Sequence, residues 1–236
     1  MADWLERAAG PGGLPLAFAY LELALGLILL ASVLHFRVLR RTRDELSAAR
    51  LYFAAAFVLL LAVPCATVAL TAARPLETLA GFGWSVGEVR PGLVVTLALL
   101  PLAVLAGLSA SRDPEIREMY PFAKAACADG RTFALYEVTY FFLYYLPWES
   151  VFRGLLFLPL VRTAGLLPAL AVQTIVSTLL HIGHPRREIL AAALAGPVLG
   201  LIAHVTGSFL YPLVLHATAG ISMDAFLFLR RGRDRP

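Results

Sequence analysis

The chain has 236 residues, of which 59% are hydrophobic and 15% are charged, and its formal net charge is +4. An ordinary soluble domain carries about 25% charged and 45–50% apolar residues, and a soluble fold of this length cannot bury so much apolar surface. The composition therefore excludes a disordered chain, a fibrous repeat, a disulfide scaffold and a nucleic-acid-binding domain. It predicts an all-α, polytopic membrane helix bundle that forms a single domain over residues 1–236.

Apolar segments follow one another along the whole chain, and a helix needs about 20 apolar residues to cross the bilayer core. We predict about seven transmembrane helices, at 14–38, 49–73, 92–110, 133–161, 166–183, 188–205 and 208–229. Residues 1–110 are expected to be scaffold helices, 111–132 a cytoplasmic loop, and 133–229 a catalytic-type core of four helices. Pro147 and Pro159 predict a kink or tilt in the fourth span.

Basic residues cluster in alternate connections, at 37–50, 112–131, 186–187 and 230–235. The positive-inside rule assigns these connections to the cytoplasm, which predicts a multi-pass protein with its N-terminus outside and its C-terminus in the cytoplasm. The start of the chain lacks the basic residues and cleavage site of a signal peptide.

Ionisable side chains also occur inside the predicted spans, where each costs roughly 2.5–3.5 kcal/mol on insertion scales. They are Glu22, Glu137, Glu149, Arg153, His181, His204, His216 and Asp224. All but Glu22 fall in the last four spans. We therefore expect the last four spans to form the site and the first three to be scaffold. We expect Glu22 to bond a neighbouring helix, Glu137 to reach water at the cytoplasmic boundary, and His204 to be interfacial.

Glu149 and Arg153 are four residues apart, so they share one face of a helix and form a neutral pair inside a bundle. Such a pair is either a structural clamp between helices or part of a site. His216 lies in the middle of the last span, where the burial cost favours a functional role. His181 and Asp224 lie towards the cytoplasmic ends of their spans.

One glutamate, one arginine and two histidines on separate spans indicate hydrolysis. A carboxylate can take a proton from water, and histidines can hold that water or an oxyanion. The same residues could hold zinc as a His₂Glu set, although no H-E-x-x-H motif is present and the histidines lie on different helices. The absence of G-x-S-x-G argues against a serine hydrolase.

Four short segments resemble the CPBP family, the intramembrane proteases related to CaaX prenyl endopeptidases. WESVFRG at 148–154 resembles the family's E-E-x-x-x-R-G signature, and STLLH at 177–181 resembles its second motif. TGS at 206–208 looks like the turn before the last core helix, and His216 matches the histidine of the final motif. The similar region runs from about residue 114 to residue 224.

The resemblance implies a site within the bilayer and peptide-bond hydrolysis by a glutamate-activated water, with no metal or other cofactor. It implies a membrane-anchored protein or peptide as substrate, such as a prenylated tail, a leader peptide or a C-terminal sorting anchor, and no nucleic acid. Glu149 would be the base, Arg153 would orient it, and the two histidines would bind water and oxyanion. The resemblance assigns catalytic roles to Glu149, Arg153, His181 and His216 and supporting roles to Glu188 and Asp224.

The chain departs from the family pattern at two positions. Trp148 replaces the first glutamate of the signature, and Gly220 replaces the asparagine of the final H-x-x-x-N. The chain also resembles a bacterial subgroup with a single glutamate, an H-x-G-x-P-x-x-E turn at 181–188 and a late Met-Asp, which implies the bacterial plasma membrane. The alternative is a catalytically inactive, protease-like membrane scaffold or immunity protein.

Overall fold

The computed structural model describes residues 13–33, 41 and 44–233. These residues form helices and no strand, which confirms the all-α prediction. The helices are α1 (Gly13–Val33), α2 (Glu45–Thr71), α3 (Pro75–Gly81), α4 (Val89–Ala110), α5 (Pro114–Met119), α6 (130–164), α7 (Leu166–Leu179), α8 (Arg186–Thr206) and α9 (Leu210–Arg233).

Each predicted span coincides with one helix: α1, α2, α4, α6, α7, α8 or α9. Of these, α2, α4, α8 and α9 are long and apolar enough to cross a membrane, and α1 and α7 contain shorter apolar stretches. The end of the first predicted span, at 34–38, lies outside the described residues. The polytopic membrane bundle is confirmed.

Helices α2 and α6 contain stretches of π-helix. These are Val58–Ala62, Phe141–Tyr145 and Ser150–Phe157, and each ends two residues before a proline (Pro64, Pro147 and Pro159). A proline donates no hydrogen bond and its ring clashes with the carbonyl four residues earlier. We infer that the helix accommodates each proline by widening the turn before it. The two prolines of the fourth span thus follow stretches of π-helix, the second of which begins directly after Glu149 and contains Arg153.

Helix α6 lies at the centre of the bundle, and Glu149, Val151 and Phe152 are fully buried there. Around it, α4 packs against α9, α7 against α8, and α1 against α2. The 111–132 connection does not lie on the surface as a simple loop, because Tyr120 and Phe122 insert into the same aromatic core.

The N-terminus of α6 is fixed by Asp129, whose carboxylate accepts hydrogen bonds from the backbone N–H groups of Arg131 and Thr132 at 2.9 Å. Such capping satisfies donors that the first turn of a helix leaves unpaired. The Thr132 hydroxyl also donates to Asp129, and these bonds hold the pKa of this carboxyl below its usual value. The cap therefore defines where the long central helix begins.

Gly154 of the signature segment is needed for close packing, because a Cβ at this position would overlap the carbonyl oxygen of Phe82. We expect Gly154→Ala to lower the free energy of unfolding by about 1–3 kcal/mol through overpacking. Gly130→Ala is the matched control, since a Cβ there meets no atom within 4 Å. Thermal unfolding in detergent, followed by a thiol dye on buried Cys127, measures both. Equal shifts would contradict this interpretation.

Candidate active site

Glu149, Arg153 and His216 form one buried cluster between α6 and α9. Arg153 Nη1 donates to Glu149 Oε1 at 3.0 Å, and His216 Nδ1 lies 2.6 Å from the same oxygen. The exposed fractions of the Glu149 and Arg153 side chains are 0% and 3%. The four-residue spacing therefore pairs Glu149 with Arg153 as the sequence predicts, and the fold adds His216 from the last helix.

His216 is the member of this cluster with the most open side chain, and 28% of it is exposed. It lines the cavity described below together with Arg153, whereas Glu149 is fully enclosed. A histidine bonded through one ring nitrogen has its other nitrogen oriented by that bond. Glu149 therefore fixes the His216 ring, and the free Nε2 is the atom available to another molecule.

A second polar cluster surrounds the Glu188 carboxylate at the start of α8. Glu188 Oε1 accepts a hydrogen bond from the Tyr120 hydroxyl at 2.6 Å and lies 3.0 Å from His184 Nδ1. His181 Nε2 lies 3.9 Å from the same oxygen. Burial and the nearby Glu188 charge raise the pKa of Tyr120 above its usual range, so its hydroxyl stays protonated and donates.

The protonation of His181 follows from its second contact. His181 Nδ1 lies 2.7 Å from the carbonyl oxygen of Ser177. A carbonyl only accepts, so Nδ1 carries the proton and, in the neutral ring, Nε2 is an acceptor. The indole of Trp148 meets the His181 ring edge-on, with centroids 5.8 Å apart. The residue that replaces the first glutamate of the signature thus packs beside His181 without offering a carboxylate.

The two clusters face one cavity of about 640 Å³ between α4, α8 and α9. Its polar lining includes Arg153, His181, Glu188 and His216, and these side chains come from three helices and one turn. Its walls are mainly leucine and alanine side chains of α4 and α8. A cavity with mainly apolar walls and a few polar side chains is typical of a site that binds a largely apolar ligand.

Asp224 does not join either cluster. It is fully buried beside Glu137 of α6, and its carboxylate oxygens form no hydrogen bond to His181 or His216 among the described residues. The prediction that Glu137 reaches water is wrong, because its exposed fraction is 6%. A carboxyl on α6 points inwards here because Asp224 lies opposite it on α9.

Glu22 and His204 lie outside both clusters. Glu22 Oε2 accepts a hydrogen bond from the Thr67 hydroxyl at 2.5 Å, which confirms the expected bond between neighbouring helices. His204 is exposed near the end of α8, and its interfacial position stays a prediction.

Tyr120 and His184 are site residues that the sequence motifs do not indicate. Their contacts with Glu188 place both in the second cluster. The spacing of four residues between His184 and Glu188 was a usable signal, because it puts both on one side of a helical turn. No comparable pattern connects Tyr120 to Glu188 along the sequence.

Within the described residues, no three His, Cys, Asp or Glu side chains form a group that could hold a metal ion. The His₂Glu alternative, built from His181, His216 and Glu149, therefore has no matching set of ligands there.

Residues 130–221 match the sequence model of a family described as Type II CAAX prenyl endopeptidase Rce1-like. This confirms the resemblance to the CPBP family for the segment from the start of α6 into α9. No curated protein and no solved structure matches the chain. The matched segment contains Glu149, Arg153, His181, Glu188 and His216.

Proposed function

We propose that this chain, whose residues 130–221 belong to the Rce1-like CAAX endopeptidase family, is an intramembrane endopeptidase. It hydrolyses a peptide bond near a membrane-embedded or lipidated segment by means of a glutamate-activated water. The observation that carries this proposal is the convergence of two ionisable clusters, around Glu149 and around Glu188, on one cavity with apolar walls. Ionisable groups at this depth are costly and mark functional sites.

We assign the water to the space between His181 Nε2 and the Glu188 carboxylate. The 3.9 Å separation from Glu188 Oε1 is too long for a direct hydrogen bond, and such a separation suits a bridging water. Both atoms are acceptors, so the water would donate both protons and turn its lone pairs towards a substrate carbonyl. Glu188 would take one proton as the water oxygen bonds to the carbonyl carbon, and would pass it to the leaving amine.

Glu149 receives a different role from the one the family resemblance implies. Its Oε1 already accepts from Arg153 and contacts His216, and the carboxyl group is fully enclosed. We propose that Glu149 positions His216 and balances the positive charge of Arg153. In this role the His216 ring would be protonated on both nitrogens, so that Nδ1–H donates to the Glu149 carboxylate and Nε2–H donates to the substrate carbonyl oxygen, where negative charge develops during attack by water.

The leucine and alanine walls of the cavity support an apolar segment next to the cleaved bond. The pattern of basic residues supports a cytoplasmic position for the 180–188 turn, which carries His181 and Glu188. We therefore propose a bacterial plasma-membrane enzyme whose C-terminus is cytoplasmic and whose site opens towards the cytoplasm.

The experiment compares the membrane proteomes of hosts that carry the wild-type chain or His216→Asn at equal protein levels. His216→Asn leaves the Glu149–Arg153 pair in place, so the fold is expected to persist. We expect a precursor with an uncut site near a transmembrane or lipidated segment to accumulate with His216→Asn. His204→Asn, the same change at an exposed histidine, is the control and should behave like wild type.

The competing function is a membrane scaffold or immunity protein that binds a partner's transmembrane helix and performs no chemistry. The replacements Trp148 and Gly220 favour it, because each removes a group that the family motifs contain. Identical proteomes for the wild-type and His216→Asn hosts, with both proteins stable, would support this function against the protease.

A further inference from the structure

Tyr145 lines the cavity beside His216, and its hydroxyl lies against Gly220, which lines the same cavity. It lies one helical turn before Glu149 on α6, and its ring meets the His216 ring edge-on with centroids 5.1 Å apart. Gly220 lies one turn after His216 on α9, and a Cβ at Gly220 would overlap the Tyr145 hydroxyl oxygen. The hydroxyl therefore occupies the space that any side chain at position 220 would need.

Tyr145 belongs to the candidate active site and not to a lipid-facing surface. Tyr145, His216 and Gly220 all line the cavity, while only 4% of Tyr145 is exposed. The Tyr140 ring packs against the Tyr145 ring, with centroids 4.5 Å apart. A phenol can accept one hydrogen bond and donate another at the same time. The Tyr145 hydroxyl can therefore donate its proton to a group in the cavity.

We propose that the Tyr145 hydroxyl is a catalytic hydrogen-bond donor to the substrate carbonyl oxygen, next to His216 Nε2. This inference rests on the proposed function. When the water oxygen bonds to the carbonyl carbon, the π electrons of the carbonyl move to its oxygen and create an oxyanion. Tyr145 donates to that oxyanion and keeps its proton, while the proton lost by water goes to Glu188. The C–N bond then breaks, the carbonyl re-forms, and the leaving amine takes the proton from Glu188.

Hydrogen-bond donors fixed in this position lower the activation barrier because they stabilise negative charge that develops only in the transition state. Glycine at position 220 has a specific consequence for this arrangement. Gly220 has no side chain, and the Tyr145 hydroxyl of α6 occupies the space where a side chain of α9 would lie. The loss of a polar group from one helix is thus compensated by a polar group from its neighbour.

The test is Tyr145→Phe in the full-length protein, reconstituted in lipid nanodiscs with the peptide substrate found in the proteome comparison. Phenylalanine keeps the ring contact with His216 and removes only the hydroxyl. We expect kcat to fall about 10²–10³-fold, as for other lost oxyanion donors, with KM within threefold of wild type. Tyr136→Phe is the matched control, because Tyr136 is a buried tyrosine of the same helix that does not line the cavity.

A second measurement separates a catalytic hydroxyl from a structural one. A peptide phosphinate of the cleaved sequence carries an anionic oxygen in place of the oxyanion. We expect Tyr145→Phe to weaken phosphinate binding by the same factor as it lowers kcat/KM, because both depend on the donor. A variant whose kcat and phosphinate affinity both stay within threefold of wild type overturns the assignment of Tyr145 and leaves the protease intact. A wild-type chain that cleaves no peptide overturns both proposals.

Discussion

Arg153→Met is expected to lower the free energy of unfolding by about 3–5 kcal/mol, because it leaves the Glu149 carboxylate buried without its counter-charge. Glu149 has no exposed surface, and Arg153 is its arginine partner at 3.0 Å. Thermal unfolding in detergent, followed by thiol labelling of buried Cys127, measures the change. Arg112→Met, at an exposed arginine, is the control and should shift stability by about 0.5 kcal/mol or less.

The double variant Glu149→Gln/Arg153→Met tests whether charge is the cause. It removes both charges and keeps an amide oxygen that still accepts from His216 Nδ1. We expect most of the stability lost in Arg153→Met to return, since replacing a whole buried pair is often nearly neutral. We expect no cleavage by the double variant, because it lacks both Arg153 and the negative charge of the Glu149 carboxylate that contacts His216. A double variant as unstable as Arg153→Met would show that lost packing is the cause.

Glu188→Gln is expected to lower kcat about 10²–10⁴-fold, the range for loss of a general base. The amide oxygen can still accept from the Tyr120 hydroxyl, so the second cluster should keep its geometry and KM should change little. Glu188 has no arginine partner within the described residues, so no buried cation is left unpaired by the change. Steady-state cleavage of the peptide substrate in nanodiscs provides both constants.

Glu118→Gln is the matched control, because Glu118 is an exposed glutamate on α5. It should cleave at the wild-type rate. A Glu188→Gln protein with kcat within threefold of wild type would exclude Glu188 as the base. The water-activating role would then return to Glu149, as the family resemblance implies.

The spans were predictable because the bilayer imposes a simple requirement on sequence. A run of apolar residues must be long enough to cross the hydrocarbon core, and every backbone group within it must be bonded internally. Helices α4, α8 and α9 accordingly begin and end within a few residues of the predicted limits. The π-helical stretches of α6 were not predictable in detail, although the prolines that follow them indicated a departure from regular helix.

The two halves of the site differ in how far sequence could predict them. The pairing of Glu149 with Arg153 follows from helical periodicity alone. The contact of His216 with Glu149 joins residues 67 positions apart, and only the packing of α9 against α6 creates it. The same holds for Tyr120 and Glu188, which are 68 positions apart.

The role proposed for Glu149 rests on its burial and not on residue identity alone. The sequence offers two glutamates near the expected catalytic residues, and a motif match favours the one beside the arginine. Burial favours Glu188 in the proposed mechanism, because Glu149 is enclosed between Arg153 and His216 while Glu188 lines the cavity. The position of Tyr145 against Gly220 is equally invisible in sequence, since it depends on how closely α6 and α9 approach.

The most direct test of the central claim is whether the purified chain alone cleaves the precursor that accumulates in the His216→Asn host. The purified wild-type protein in nanodiscs is incubated with that precursor in ¹⁸O-labelled water containing a metal chelator, and the products are analysed by mass spectrometry. We predict a single cut near the membrane-embedded or lipidated segment, with one ¹⁸O atom in the new C-terminal carboxylate. An intact precursor, with the purified protein folded, would contradict the proposed endopeptidase activity and show that another protein makes the cut.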